Sequence, residues 1–155
     1  MTRQHKMLAA VALLFLCASV FGVIVRRAVT HRIFVSAAAP VTTDFVFTIE
    51  TTTASETFDL PLPAGNYNFQ IEWGDGDIDQ ITSNADSDDP HTYATAGTYT
   101  IRISGLCEEW QFNNGGDAAK VRTVENMGVV GWTALREAWY GCSGMTSFTA
   151  GNTDT

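Results

Sequence analysis

Basic residues are scarce in most of this chain. Of its nine lysines and arginines, five precede Ile33 and only four follow it, whereas all 17 acidic residues lie at or after Asp44. The part of the chain after Ile33 therefore carries a formal charge of about −13. A surface of that sign repels phosphate backbones, so nucleic acid is not expected as a partner. The simplest interpretation is that the acidic residues keep the folded part soluble.

Cysteine and histidine, which build most zinc and nucleophilic sites, are also few. Cys17 lies in a hydrophobic run, and Cys107 and Cys142 have neither C-x-x-C nor Cys/His spacing typical of zinc. An oxidising compartment would permit a Cys107–Cys142 bridge, and two buried thiols are the favoured alternative. Outside residues 1–32 a Cys142 nucleophile would have only His91 as its base. The chain also lacks a Gly-rich phosphate loop and a G-x-S-x-G elbow, so we predict no enzyme and no cofactor.

One long hydrophobic run is present at the N-terminus. Met7–Val25 is uncharged over 19 residues, just enough to cross a bilayer as a helix, with basic residues on both sides. We predict a membrane element over residues 1–32. Its length favours a retained signal anchor, and the alternative is a signal peptide cleaved near Val35–Ala37. The flanking charges are nearly balanced and do not decide its orientation.

The strongest pattern after the linker is a pair of alternating segments around a Gly-Asp turn. Apolar residues recur at every second position before Gly74 and again after Gly97, which is typical of strands with one buried face. The turn Gly74-Asp75-Gly76-Asp77 separates the first strand from a polar loop. We predict an antiparallel sandwich over residues 44–105. Its inward-facing residues are predicted to be Tyr67, Phe69, Ile71, Trp73, Tyr99, Ile101 and Ile103.

Two further strands are predicted before this pair, and one strand and one helix after it. The early strands are Phe45–Glu50 and Phe58–Pro63, whose prolines place the second at an edge. Val121–Met127 is predicted as a later strand. Thr133–Tyr140 is predicted as a helix with Thr133 as N-cap. Its predicted buried face carries Trp132, Leu135, Ala138, Trp139 and Cys142 at helical spacing.

The acidic loop is the best candidate for site chemistry. Asp75, Asp77 and Asp79 have the alternate spacing of a calcium-binding loop, and Asp86 occupies the twelfth position counted from Asp75. Gln80 stands where such loops need glycine, no helices flank the loop, and a shorter Asp closes it in place of Glu. A solvated acidic turn is therefore the favoured alternative to calcium. The aromatics considered for partner contact are Trp110 and Tyr140, with core packing as the default.

Two motifs in residues 44–105 resemble the PKD family. They are the Trp-Gly-Asp-Gly turn at residues 73–76 and the His-x-Tyr-x-x-x-Gly-x-Tyr run at residues 91–99. The turn lacks the extra residues that the family often has between Trp and Gly-Asp-Gly. The resemblance implies an immunoglobulin-like β-sandwich, mostly found outside cells, that serves as a spacer or binding module and has no catalytic role. Within such a motif, His91 is expected to form a hydrogen bond inside the loop.

The C-terminal part resembles the start of BspA-type leucine-rich-repeat surface proteins. The resemblance rests on the Asn-Asn-Gly-Gly-Asp turn at residues 113–117, the strand near Val124, and the Gly-Cys-Ser turn at residues 141–143. It implies one strand–helix repeat over about Val121–Gly144 and the first strand of another. Since a solenoid normally needs about three units, this part either begins a longer array or packs on the sandwich.

The predicted fold class is mainly β, with an N-terminal hydrophobic helix and a short C-terminal strand–helix unit. The predicted domains are residues 1–32 (membrane element), 33–43 (linker), 44–105 (sandwich) and 106–155 (repeat unit). The predicted function is a non-catalytic adhesion module, secreted or tethered by Met7–Val25, that presents its surface to an extracellular protein or glycan. The alternatives are a structural spacer or an accessory domain of a larger extracellular hydrolase.

Overall fold

The structure is a computed structural model that describes residues 43–154. The predicted membrane segment Met7–Val25 lies outside the described residues. Within residues 43–154, no helix has the length and apolar character needed to cross a bilayer.

The described part is mainly β, with eight strands in two sheets. The strands are β1 (Phe45–Thr51), β2 (Glu56–Phe58), β3 (Tyr67–Glu72), β4 (Ile78–Ile81), β5 (His91–Tyr93), β6 (Gly97–Cys107), β7 (Val121–Asn126) and β8 (Ser147–Phe148), and a 3-10 helix spans Ala118–Lys120. The large sheet has the order β4-β3-β6-β1-β7-β8, and β2 pairs with β5 in a second sheet. All pairings between named strands are antiparallel except β7–β8.

The inward face predicted for the central strands is confirmed. In β3, buried and exposed residues alternate strictly, and Ile71 pairs with Ile103 of β6. Tyr99 is partly buried against the core, and the other six predicted residues are at most 5% exposed. The small sheet joins the same core through Phe58, whose ring lies 6.1 Å from that of Phe47. Alternation predicts burial here because side chains on a pleated strand point to opposite faces in turn.

β1 is more buried than its alternation predicts. Phe45, Phe47 and Ile49 are fully buried as expected, but Val46 and Thr48 on the other face are also covered. β1 lies inside the large sheet between β6 and β7, and the Thr48 and Thr123 hydroxyls form a hydrogen bond of 2.7 Å.

The predicted strand Phe58–Pro63 is wrong, because β2 ends at Phe58. After it, the amides of Asp59 and Leu60 donate to the carboxylates of Asp117 and Asp89 in place of a strand partner.

The C-terminal part forms two stacked coils. We call residues 107–128 the first coil and residues 130–153 the second coil. Their backbones run parallel, with partners 24 or 25 positions apart: Thr123 pairs with Ser147, Val124 with Phe148, Glu109 with Ala134 and Gly128 with Thr153. Further backbone bonds join them, among them Cys107 N to Val130 O at 2.7 Å and Asn114 N to Tyr140 O at 2.8 Å.

The predicted helix Thr133–Tyr140 is wrong, because this segment is a series of turns in the second coil. The amides of Thr133 and Ala134 donate to the Glu108 carbonyl of the first coil, and the Ala134 carbonyl accepts from Trp110 N. Glu137 has a φ of 54°, which a right-handed helix does not allow. An isolated helix of this length is marginal in water, so bonds to the neighbouring coil prevail.

The buried face predicted for that helix is only partly correct. Ala138 is 3% exposed and Trp139 packs against the core, but Leu135 is 40% exposed. Cys107 and Cys142 are both buried with free thiols.

Candidate functional site

The Gly-Asp turn between β3 and β4 is shaped by two glycines. Gly74 and Gly76 have φ values of 87° and 110°, and the Trp73 amide donates to the Asp77 carbonyl at 3.1 Å. A Cβ atom on Gly74 would lie 2.6 Å from the Thr100 carbonyl oxygen of the neighbouring strand. Only glycine therefore fits that position. The turn carries Asp75 and Asp77 out of the sheet at alternate positions.

His91, at the start of β5, is fixed by aromatic neighbours. Its ring is stacked on Trp73 at 4.5 Å with an interplanar angle of 9°, and it meets Tyr93 edge-on at 4.7 Å. The Tyr93 hydroxyl donates to the Trp73 carbonyl at 3.0 Å, which ties β5 to the end of β3. The His91 side chain is only 9% exposed. This packing leaves the imidazole little freedom and holds Nε2 at the turn.

Asp75, Asp77 and His91 form a cluster of potential metal ligands. His91 Nε2 lies 2.8 Å from Asp75 Oδ2, and the Asp77 amide donates to Asp75 Oδ1 at 3.1 Å. One ligand atom from each of the three side chains lies within 4.8 Å of the others. Burial raises the pKa of Asp75, but the hydrogen bonds from His91 and the Asp77 amide lower it more, so the net pKa falls below its usual value.

Two of the four predicted calcium ligands lie in this cluster and two bond elsewhere. Asp79 Oδ2 accepts a hydrogen bond of 2.8 Å from the Trp73 indole. Asp86 Oδ2 accepts from the Thr82 amide at 2.9 Å and from the Thr82 hydroxyl at 3.0 Å. The expected loop hydrogen bond of His91 is confirmed, with Asp75 as its partner. Loop spacing could not predict that His91 lies beside Asp75 and Asp77, because His91 follows Asp77 by 14 positions and belongs to another strand.

The other residues considered from the sequence are structural or exposed. Trp110 is fully buried, whereas Tyr140 is 59% exposed. Burial raises the pKa of the Cys142 thiol to about 11, and it raises the pKa of the Cys107 thiol further. Both thiols are therefore protonated at neutral pH, and the thiol form is a poor nucleophile.

Among the described residues 43–154, the large sheet ends with an open edge in the second coil. There β8 pairs with β7 on one side and is the last strand of the sheet. Leu135, Tyr140 and Phe148, all in the second coil, are 40%, 59% and 47% exposed. Asp154 fixes the end of this coil by accepting the amides of Gly131 and Trp132 at 2.6 Å each. Unpaired strand backbone beside exposed apolar side chains is typical of a surface that accepts another chain.

Comparison of the chain with family models, curated proteins and solved structures found no match.

Proposed function

We propose that this chain is a non-catalytic binding module, secreted or held at the cell surface, that recognises protein through the open edge of its second coil. The hydrophobic run Met7–Val25 supports the proposed location. The motifs at residues 73–76 and 91–99 support an immunoglobulin-like assignment of the β-rich part and an extracellular setting. The parallel coils support the proposed relationship to BspA-type repeat proteins.

The open β8 edge is the observation that carries this proposal. A strand at a sheet edge presents amides and carbonyls without a partner on one side, and an extended segment of another protein can pair with them. Phe148 lies in β8 itself, and its ring is 5.9 Å from that of Trp139. An incoming segment would therefore gain backbone bonds and an apolar contact together.

Protein fits this edge better than glycan. Apolar contact and strand pairing both stabilise a bound extended peptide. Glycan recognition relies instead on polar groups placed around an aromatic side chain. The proposed partner is accordingly an extracellular protein with an extended, partly apolar segment.

A protein and glycan array tests the proposal with the full chain. We expect the chain to bind proteins on the array. The variant Phe148→Glu should weaken this binding by roughly 10-fold or more, because it places a charge in the apolar contact. Ile78→Glu is the matched control: Ile78 is 54% exposed on β4, at the opposite edge of the sheet, and its variant should bind normally.

Binding to glycans alone would contradict the proposal, as would protein binding that Phe148→Glu leaves unchanged. Absence of any binding would favour the spacer alternative.

A further inference from the structure

We propose that Asp75, Asp77 and His91 form a binding site for a divalent transition-metal ion, with Zn²⁺ as the best-matched ion. The proposal concerns the Gly-Asp turn between β3 and β4 and does not depend on the open edge of the second coil.

The rigidity of His91 is the first support. Nitrogen ligands bind a metal well when packing fixes the ring before the ion arrives. Here Trp73 covers one face of the imidazole and Tyr93 holds its edge, so Nε2 is already directed at Asp75.

The freedom of Asp77 is the second support. Asp75 Oδ1 is held by the Asp77 amide, but the Asp77 carboxylate accepts no hydrogen bond from residues 43–154. The turn beside it is uncrowded, because a Cβ atom on Gly76 would meet nothing within 4 Å. Asp77 can therefore turn toward His91 without losing another partner.

The donor set selects the ion. Zinc takes imidazole nitrogen and carboxylate oxygen at about 2.0–2.2 Å, which places neighbouring ligands about 3.3 Å apart. The ligand atoms now lie within 4.8 Å of one another, so zinc would draw in the exposed Asp77 carboxylate and would widen the 2.8 Å separation between His91 Nε2 and Asp75 Oδ2. Calcium instead takes six to eight oxygen ligands, and Asp79 and Asp86, which would add oxygens, bond to Trp73 and Thr82.

The ion would take the place of the hydrogen bond between His91 Nε2 and Asp75 Oδ2. Nε2 must be free of a proton to bind the ion, so a proton that it carries in the hydrogen bond to Asp75 moves to Nδ1 of the same ring or to solvent. Three protein ligands leave a fourth position toward solvent, where water completes the coordination.

Titration of the full chain with ZnCl₂, in a detergent that does not chelate metals, tests the proposal. We expect Asp77→Asn to weaken Zn²⁺ binding at this site by at least roughly 10-fold, because it removes one charged ligand. It should not alter the fold, since the Asp77 carboxylate bonds to no described residue. Asp88→Asn is the matched control, because the Asp88 carboxylate also accepts no hydrogen bond from residues 43–154 and lies outside the cluster.

Nitrogen NMR gives a second readout that does not depend on counting ions. We expect the His91 Nε2 resonance to shift on addition of Zn²⁺ in the parent chain and in Asp88→Asn. An unmoved resonance would overturn the proposal. The proposal would also be overturned if Asp77→Asn bound Zn²⁺ at this site with the same affinity as the parent chain.

Discussion

Asp89 holds a carboxylate in a half-buried position next to the small sheet. Its Oδ1 accepts the Leu60 amide at 2.9 Å. Burial is the main cause that raises its pKa to about 6, and the negative charges of Asp59, Asp86 and Asp117 add to the effect. The charged form of Asp89 therefore costs the folded state free energy at neutral pH.

The pH dependence of stability should show this cost. The pKa of Asp89 is higher in the folded state than the usual 3.8, so the folded state binds the proton more tightly than the unfolded chain. We expect the contribution of Asp89 to stability to improve as pH falls from about 7 to about 4.5. Asn keeps the acceptor for Leu60, so Asp89→Asn should stabilise the fold by about 1–2 kcal/mol at pH 7, after allowance for solvent screening.

Urea unfolding of the parent chain and of Asp89→Asn at pH 7 and pH 4.5 measures this effect. The difference between the two proteins should shrink at the lower pH. A difference that stays constant across this range would show that the charge of Asp89 is not the cause. Asp75 has a lowered pKa, so its own stabilising contribution is lost only at lower pH and does not obscure the comparison.

Gly74 sets the close approach of the Gly-Asp turn to β6. Gly74→Ala should destabilise the fold by roughly 2–4 kcal/mol, because its Cβ would lie 2.6 Å from the Thr100 carbonyl oxygen at a positive φ. Gly76→Ala is the matched variant: its φ is also positive, but no atom lies within 4 Å of the added Cβ. It should cost about 1–2 kcal/mol, from backbone strain alone. Equal losses in thermal unfolding would contradict the proposed contact.

At the scale of the elements, alternation predicted the central strands, but helical spacing misled in the tail. In β3 and β6, apolar residues occur at every second position, and this pattern is typical only of a strand with one buried face. The spacing of Trp132, Leu135, Ala138 and Trp139 also fits a chain that turns repeatedly while it lies on another coil. The deciding interactions are backbone bonds from Thr133 and Ala134 to Glu108, some 25 positions earlier. The residues within one segment do not show which distant backbone groups that segment will bond to.

The candidate site shows the same division between local and distant information. Asp75 and Asp77, two of the four residues of the predicted calcium loop, lie together in the cluster at one turn. The sequence could not show that Asp79 is used by the Trp73 indole and Asp86 by Thr82, because each bond depends on how the chain folds back. His91 joins the cluster through the pairing of β5 with β2 and the stacking on Trp73.

Hydrogen exchange should separate the second coil from the large sheet. The second coil is held by turn bonds and by one partner coil, whereas β1 and β6 each pair on both sides. We expect amides of residues 130–153 to exchange well before those of β1, β3 and β6 in the full chain, since edge elements open locally. Mass spectrometry of exchanged peptides measures this. Uniform protection across both regions would mean that the coils and the sheet unfold as one unit.

At the scale of the whole molecule, one continuous core joins the sheets and the coils. The ring centroid of Phe45 in β1 lies 5.1 Å from that of Trp110 in the first coil and 6.0 Å from that of Trp139 in the second coil. The ring centroids of Trp110 and Trp139 lie 6.2 Å apart. The coils therefore complete the core of the large sheet, and the predicted boundary between residues 44–105 and 106–155 does not separate their packing.

β7 has different neighbours on its two sides, antiparallel β1 on one and parallel β8 on the other. The direction of pairing changes at this strand, and β1 already covers the inner side of the first coil. Because β1 occupies the other side of β7, a further coil could stack only against β8. The two ends of the large sheet are therefore unlike surfaces, since β8 ends it in a parallel pair and β4 ends it in an antiparallel pair.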